Sequence, residues 1–134
     1  MASTMTKWEI WAIKPAAGAN YVTNPSAETG ITGFAGLNAT VTQSSEASRF
    51  GAYSAKAVPT NVNTFARVKY QITAPLTGNL TFSVYVKGEA GKTYTVELID
   101  GDESTQSAVT FTANGYWQRR SVTLSVTSGD ALYL

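Results

Sequence analysis

The 134-residue sequence contains no cysteine and no histidine. Without cysteine the chain cannot form disulfides or thiolate metal sites, and without histidine it lacks the commonest general base. Charged residues are 14% of the chain, against roughly a quarter in typical domains. The net charge of +1 gives no electrostatic case for binding nucleic acid or an anionic membrane. These deficits weigh against catalysis, and we expect a protein that is not an enzyme.

Long apolar runs and helical periodicity are also missing. No apolar run is long enough to span a bilayer, and no segment of useful length repeats at the helical period. The chain instead carries short stretches in which apolar and polar residues alternate, separated by Gly, Pro and Asn. A period of two places alternate side chains on opposite faces of a strand. The sequence therefore predicts an all-β protein.

The clearest alternation lies in two neighbouring runs, residues 80–88 and 93–98. The Gly-containing segment between them, residues 89–92, predicts that they pair as a hairpin. Residues 64–73 and 116–127 alternate in the same way, whereas glycines at 30, 33 and 36 predict a loop. Many short strands with turns between them are typical of a jelly-roll β-sandwich of two antiparallel sheets.

An aromatic segment precedes this pattern. Residues 7–13 predict an extended strand, which Pro15 and Gly18 end. Trp8 and Trp11 would point to opposite faces of that strand, and both need cover. The segment is either an edge strand of the same domain or an arm that docks on a neighbour. We therefore divide the chain into an arm or edge strand, 1–19, and a domain, 20–134, with the two tryptophans as partner-binding candidates.

Four motifs follow one another along the domain. They are Asn-Tyr-Val-Thr-Asn-Pro-Ser-Ala-Glu-Thr-Gly at 20–30, Arg-Phe-Gly-Ala-Tyr-Ser-Ala-Lys at 49–56, Phe-Ser-Val-Tyr-Val-Lys-Gly at 82–88, and Gly-Tyr-Trp-Gln-Arg at 115–119. In this order they resemble carbohydrate-binding modules of the four-and-nine type. The resemblance covers roughly residues 20–134 and implies a jelly roll.

The chain departs from the family's pattern at several positions. Ala27 stands where Phe is usual, and Phe34 stands where Trp is usual. The family's closing strand, with its Asp and Glu, has no counterpart before Leu134, so we expect the domain to lack it. The resemblance makes Glu28 a weak metal ligand and structural calcium the only ion to consider. We otherwise expect no cofactor.

The polar sides of the alternating strands are the candidate ligand face. A glycan site needs aromatic platforms and planar polar groups, and the alternative is an ordinary solvated or partner-covered sheet. The acids at 100–103 are either solvated loop residues or calcium ligands. Trp117 is a core candidate, although its parity relative to Val122 would then require a bulge. The predicted glycan-binding residues are Tyr85, Gln71, Arg67, Lys69 and Glu97.

Similar modules occur in phage tail fibres, minor tail proteins and head fibres. The resemblance therefore implies a non-catalytic structural or attachment module of a phage-type virion, located in the virion, with glycan binding as an additional expectation. Its partners would be other virion subunits, copies of itself or a polysaccharide. The alternative is a carbohydrate-binding module of a bacterial glycoside hydrolase, which would be extracellular as part of a longer secreted enzyme.

Overall fold

A computed structural model describes residues 11–12, 20–61, 65–104 and 106–134. All secondary-structure elements in these ranges are β-strands, so the all-β prediction is confirmed. None of the described residues belongs to a helix long and apolar enough to cross a membrane. The strands are β1 (Trp11–Ala12), β2 (Phe34–Leu37), β3 (Ala39–Ser44), β4 (Ser54–Pro59), β5 (Arg67–Thr73), β6 (Gly78–Val86), β7 (Thr93–Asp100), β8 (Gln106–Thr112), β9 (Gln118–Val126) and β10 (Ala131–Tyr133).

The chain divides into two compact units. The described part of the first unit lies within Thr23–Tyr70. The second contains Gln71–Leu134 together with residues 11–12 and 20–22. Strand β5 begins in the first unit and ends in the second.

The first unit contains two antiparallel pairs. Strands β3 and β4 pair from Ala39↔Pro59 to Ser44↔Ser54, and β2 pairs with residues 67–70 of β5. The glycine-rich stretch predicted as loop therefore contains a strand, β2. The Phe34 and Tyr70 rings meet edge to face at 5.2 Å. This contact fixes β2 against β5 because Tyr70 is buried.

The second unit is a β-sandwich. One sheet has the order β1-β6-β9, and the other consists of the end of β5 followed by β10, β7 and β8. Strands β7 and β8 pack against β9 of the opposite sheet. The antiparallel pairs are nested along the chain, with β7–β8 innermost, β6–β9 next and β5–β10 outermost. A long hairpin rolled up in this way gives the jelly-roll arrangement.

The core of the sandwich comes from the inward residues of both sheets. Leu80, Leu98 and Leu132 have no exposed surface. Alternation along β9 places every second residue inside, as the sequence predicted. Further buried side chains are Ile72, Phe82, Val96, Phe111, Val122, Leu124 and Val126.

The predicted hairpin between residues 80–88 and 93–98 is wrong. Both runs are strands, but β6 pairs with β9 and β7 pairs with β8. Residues 89–92 thus connect one sheet to the other. The error has a physical reason, since alternation assigns the face of each residue but does not select the neighbouring strand.

The structure describes part of two predictions about aromatic residues, the N-terminal strand at 7–13 and the core position of Trp117. Backbone residues 11–12 form β1 and pair with Phe82 and Ser83 of β6, whereas Trp8 and the Trp11 side chain lie outside the described residues. Trp117 is half-buried just before β9 begins. The register between β6 and β9 is continuous, so the bulge considered for Trp117 does not occur.

Candidate interaction surfaces

Exposed apolar side chains are concentrated in the first unit. Among the described residues, six large hydrophobic side chains are exposed, and five of them lie in this unit. Scattered exposed apolar residues are normal, but a concentration of them indicates an interaction surface. The five are Leu37, Tyr53, Val58, Phe65 and Val68, and the sixth is Tyr116 in the second unit.

Two of these side chains and one cation form what we call the corner patch: Leu37, Phe65 and Arg67. Leu37 lies directly opposite Arg67 in the β2–β5 pair, so both side chains occupy the same face. The Arg67 guanidinium lies 5.9 Å from the centroid of the Phe65 ring, within the range of a cation–π contact. Phe65 is 65% exposed and Leu37 is 42% exposed. An aromatic, an aliphatic and an arginine side chain thus share one surface.

Asn38 holds the backbone beside the corner patch. It follows β2 and has a φ of 52°, a left-handed conformation that Asn tolerates better than most residues. Its Nδ2 donates to the Phe65 carbonyl at 2.9 Å. Its own carbonyl accepts the Thr60 N–H at 2.9 Å. These bonds tie three separate chain segments together, so the patch is built on ordered backbone.

The predicted glycan-binding residues do not form one face. Tyr85 is half-buried on β6, whereas Glu97 is half-buried on β7 of the other sheet. Both alternate with core residues, so they lie on opposite outer faces of the sandwich. Gln71 is exposed on β5 where it pairs with β10. Gln71 lies opposite Tyr133, and Tyr133 lies opposite Ile99, so Gln71 and Glu97 share the outer face of that sheet. Arg67 and Lys69, at alternate positions in the first-unit part of β5, share a face there.

The outer face of β6 is less open than the sequence predicted. Ser83, which alternates with core residues, is only 2% exposed. Its hydroxyl accepts a hydrogen bond from Arg119 Nε at 2.9 Å. Tyr85 lies opposite Arg119 in the β6–β9 register. This face therefore contains a buried polar contact beside Tyr85 instead of an open polar surface.

Tyr116 is an exposed aromatic residue that the sequence reasoning did not select. It is 75% exposed in the connection between β8 and β9. Asn114 Oδ1 accepts the Tyr116 N–H at 3.0 Å, and Gly115 has a φ of 83°. The sequence contained a signal for this exposure, because the Asn114-Gly115 dipeptide predicts a turn and a turn places the following side chain at the tip of a loop. We call this segment, residues 114–116, the tyrosine loop.

The acidic residues near β7 and β10 serve as turn acceptors. Asp100 Oδ2 accepts the Ser104 hydroxyl at 3.0 Å, and Asp102 Oδ1 accepts the Ser104 N–H at 2.9 Å. Asp130 Oδ2 accepts the Thr127 N–H at 3.2 Å. The part of the chain that the structure describes contains no group of three or more acidic residues placed to hold a metal ion.

Glu28, the weak metal candidate, contacts backbone in the first unit. Its Oε1 accepts the N–H groups of Ala52 and Tyr53, each at 3.0 Å. A carboxylate bound to two backbone donors holds the loop before β4 in place. The geometry thus gives Glu28 a structural role.

Comparison with known proteins assigns no family to the chain. No protein-family model matches it, and no curated protein matches it. The resemblance carried by the four sequence motifs stays a prediction, and the function is argued from the surfaces described above.

Proposed function

We propose that the protein is a non-catalytic attachment module, a structural part of a phage-type virion, which docks on another subunit through the corner patch. The observation that carries the proposal is the concentration of exposed apolar side chains in the first unit. Within that unit, Leu37 and Phe65 flank Arg67 on one face. Aromatic residues and arginine are enriched in protein interfaces and often provide much of the binding energy.

The corner patch suits a protein partner for an energetic reason. Fully burying a Leu or Phe side chain contributes about 1.5–3 kcal/mol, in proportion to the surface removed from water. Phe65, which is 65% exposed, would gain more of this than Leu37, which is 42% exposed, and together they provide an anchor. Leu37 lies in a paired strand, and Phe65 lies two residues before β5 and has its carbonyl bound by Asn38. Ordering these residues on binding therefore costs little additional entropy.

The charge of the surface indicates the chemistry of the partner. Arg67 and Lys69 occupy the same face of β5, beside the apolar side chains. A matching partner surface would present an apolar recess with carboxylates at its rim. We assign no catalytic step to this module, in keeping with the role of Asp100, Asp102 and Asp130 as turn acceptors.

The test is incorporation into particles. We expect the double variant Leu37→Ser/Phe65→Ser to enter purified virions at well below the wild-type copy number, measured by quantitative mass spectrometry. Tyr116→Ser, which removes an exposed aromatic residue from the second unit, is the matched control and should enter normally. Normal incorporation of the double variant would remove the corner patch from the proposal. Absence of the wild-type chain from particles would remove the virion role itself.

Glycan binding, with a module of a bacterial glycoside hydrolase as its setting, is a second candidate. Tyr116 favours it, because a 75% exposed aromatic ring on an ordered loop could stack against a sugar ring. On this alternative, the tyrosine loop replaces the dispersed residues Tyr85 and Glu97 as the center of the site.

A glycan array with matched variants tests the alternative. We expect Tyr116→Ala to lower the affinity for any bound polysaccharide about tenfold or more, since stacking against an aromatic ring contributes roughly 1.5 kcal/mol. Tyr85→Ala should leave the affinity near the wild-type value. If Tyr85→Ala lowered the affinity and Tyr116→Ala did not, the glycan site would lie on β6 and not at the tyrosine loop. An array on which no glycan is bound would exclude the alternative.

A further inference from the structure

Strand β8 forms an open edge of the second unit. Within the described residues it pairs only with β7, over the seven positions from Gln106 to Thr112. In an antiparallel strand, every second residue points its backbone N–H and C=O away from the neighbour. The outer side of β8 therefore offers a row of hydrogen-bonding groups to a further strand.

The composition of β8 leaves this edge unprotected. Its sequence, Gln-Ser-Ala-Val-Thr-Phe-Thr, has no charge, no proline and no glycine. Its register with β7 is continuous, so no bulge twists the edge away. Natural proteins usually protect edge strands with charges, proline or bulges. Strand β9, at the edge of the other sheet, carries Arg119 and Arg120 and is protected in this sense.

Charges in the second unit are separated along the strand direction. Within Gln71–Leu134, all lysines and arginines lie near the end where Lys92 and Ala113 hydrogen-bond. Four of the six acids lie at the other end, near the connection from β7 to β8. Glu89 and Glu97 are the exceptions. The cations are Lys87, Lys92, Arg119 and Arg120, and the acids at the opposite end are Asp100, Asp102, Glu103 and Asp130.

We infer that β8 is a self-association edge, at which a second copy of this chain adds its own β8 in antiparallel orientation about a two-fold axis near Val109. The partner follows from the charge distribution. An antiparallel copy places the acidic connection of one chain beside the Lys92 end of the other, twice in each dimer. A parallel copy would bring like charges together. The inference rests on β8 and does not depend on the corner patch.

The side chains of β8 fit this arrangement. Gln106, Ala108, Thr110 and Thr112 are exposed and alternate with residues facing the core. With the axis at Val109, Ala108 of one copy lies opposite Thr110 of the other. Small and β-branched residues at these positions allow close strand pairing.

Sedimentation equilibrium of the full chain over a range of concentrations tests the inference. We expect a monomer–dimer equilibrium in low salt that weakens as salt is added. Ala108→Lys should raise the dimer dissociation constant about tenfold or more, because a lysine on an edge strand opposes pairing. Ser125→Lys, on an exposed position of β9, is the matched control and should leave the constant unchanged. A chain that stays monomeric throughout, or a dimer that Ala108→Lys leaves intact, overturns the inference.

Two further experiments check the inference independently: a swap of charges between positions 102 and 92, and hydrogen exchange of the backbone amides. Asp102→Lys should weaken the dimer, and adding Lys92→Asp in the same chain should restore it. Failure of the second change to restore the dimer would contradict the antiparallel orientation.

Backbone amide hydrogens of alternate β8 residues should also exchange with solvent more slowly in the wild-type dimer than in the dilute monomer. Unchanged exchange along β8 would locate the interface elsewhere, and this measurement needs no variant to fold.

Discussion

Replacing Leu98 with alanine should lower the free energy of unfolding of the second unit by about 3 kcal/mol, within the range measured for buried leucines. Leu98 has no exposed surface and lies on β7, which pairs with β8 and β10 and packs against β9. Removing its side chain forfeits transfer energy and leaves a cavity between the sheets. Urea denaturation followed by far-ultraviolet circular dichroism measures the change.

Leu76→Ala is the matched control for this prediction. Leu76 is half-buried in the connection before β6, in the same unit as Leu98. The same atoms are deleted there with less burial, so we expect a loss of less than half that of Leu98→Ala. Equal losses at the two positions would contradict the assignment of Leu98 to the center of the sandwich.

Gly33→Ala should cost the first unit about 3 kcal/mol, for two separate reasons. Gly33 has a φ of 93°, a conformation that costs an L-residue roughly 1–2 kcal/mol. A Cβ atom at this position would also overlap the ring of Tyr70. Tyr70 is buried and hydrogen-bonds Thr23 Oγ1 at 2.8 Å, so its ring cannot easily move, and overpacking adds about 1–3 kcal/mol.

Gly30→Ala separates the two reasons. Gly30 has a φ of 102°, but a Cβ there would meet nothing within 4 Å. We expect only the conformational cost, about 1–2 kcal/mol, from the same denaturation experiment. If Gly30→Ala proved as costly as Gly33→Ala, the contact with Tyr70 would not be the cause of the difference.

The strands could be predicted from the sequence because alternation directly reports burial. Leu80, Val96 and Leu124 are apolar positions in the alternating runs 80–88, 93–98 and 116–127, and all three are buried. Strand pairing could not be predicted in this way. Residues 80–88 and 93–98 contribute to one core from opposite sheets, and their pattern would be the same if they formed a hairpin. The glycines at 33 and 36 likewise favoured a loop, although β2 begins directly after Gly33 and contains Gly36.

The candidate surfaces were only partly accessible to sequence reasoning. Arg67 and Lys69 were selected, but Phe65 and Leu37 were not, since apolar residues are assigned to the core by default. Their exposure depends on how β2 pairs with β5, which composition does not specify. Tyr116 was assigned to a strand, and the structure places it in a loop. Tyr85 was selected for its parity, while the buried Ser83 beside it shows that parity alone does not establish an open face.

Hydroxyl-radical footprinting of the free chain and of the chain within purified virions tests the proposed attachment surface most directly. The proposal predicts that Phe65 and Leu37 are oxidised readily in the free chain and strongly protected in the particle. Tyr116, exposed in the other unit, should stay reactive in both. Equal oxidation of Phe65 in the free and assembled states would contradict the assignment of the corner patch as the docking surface.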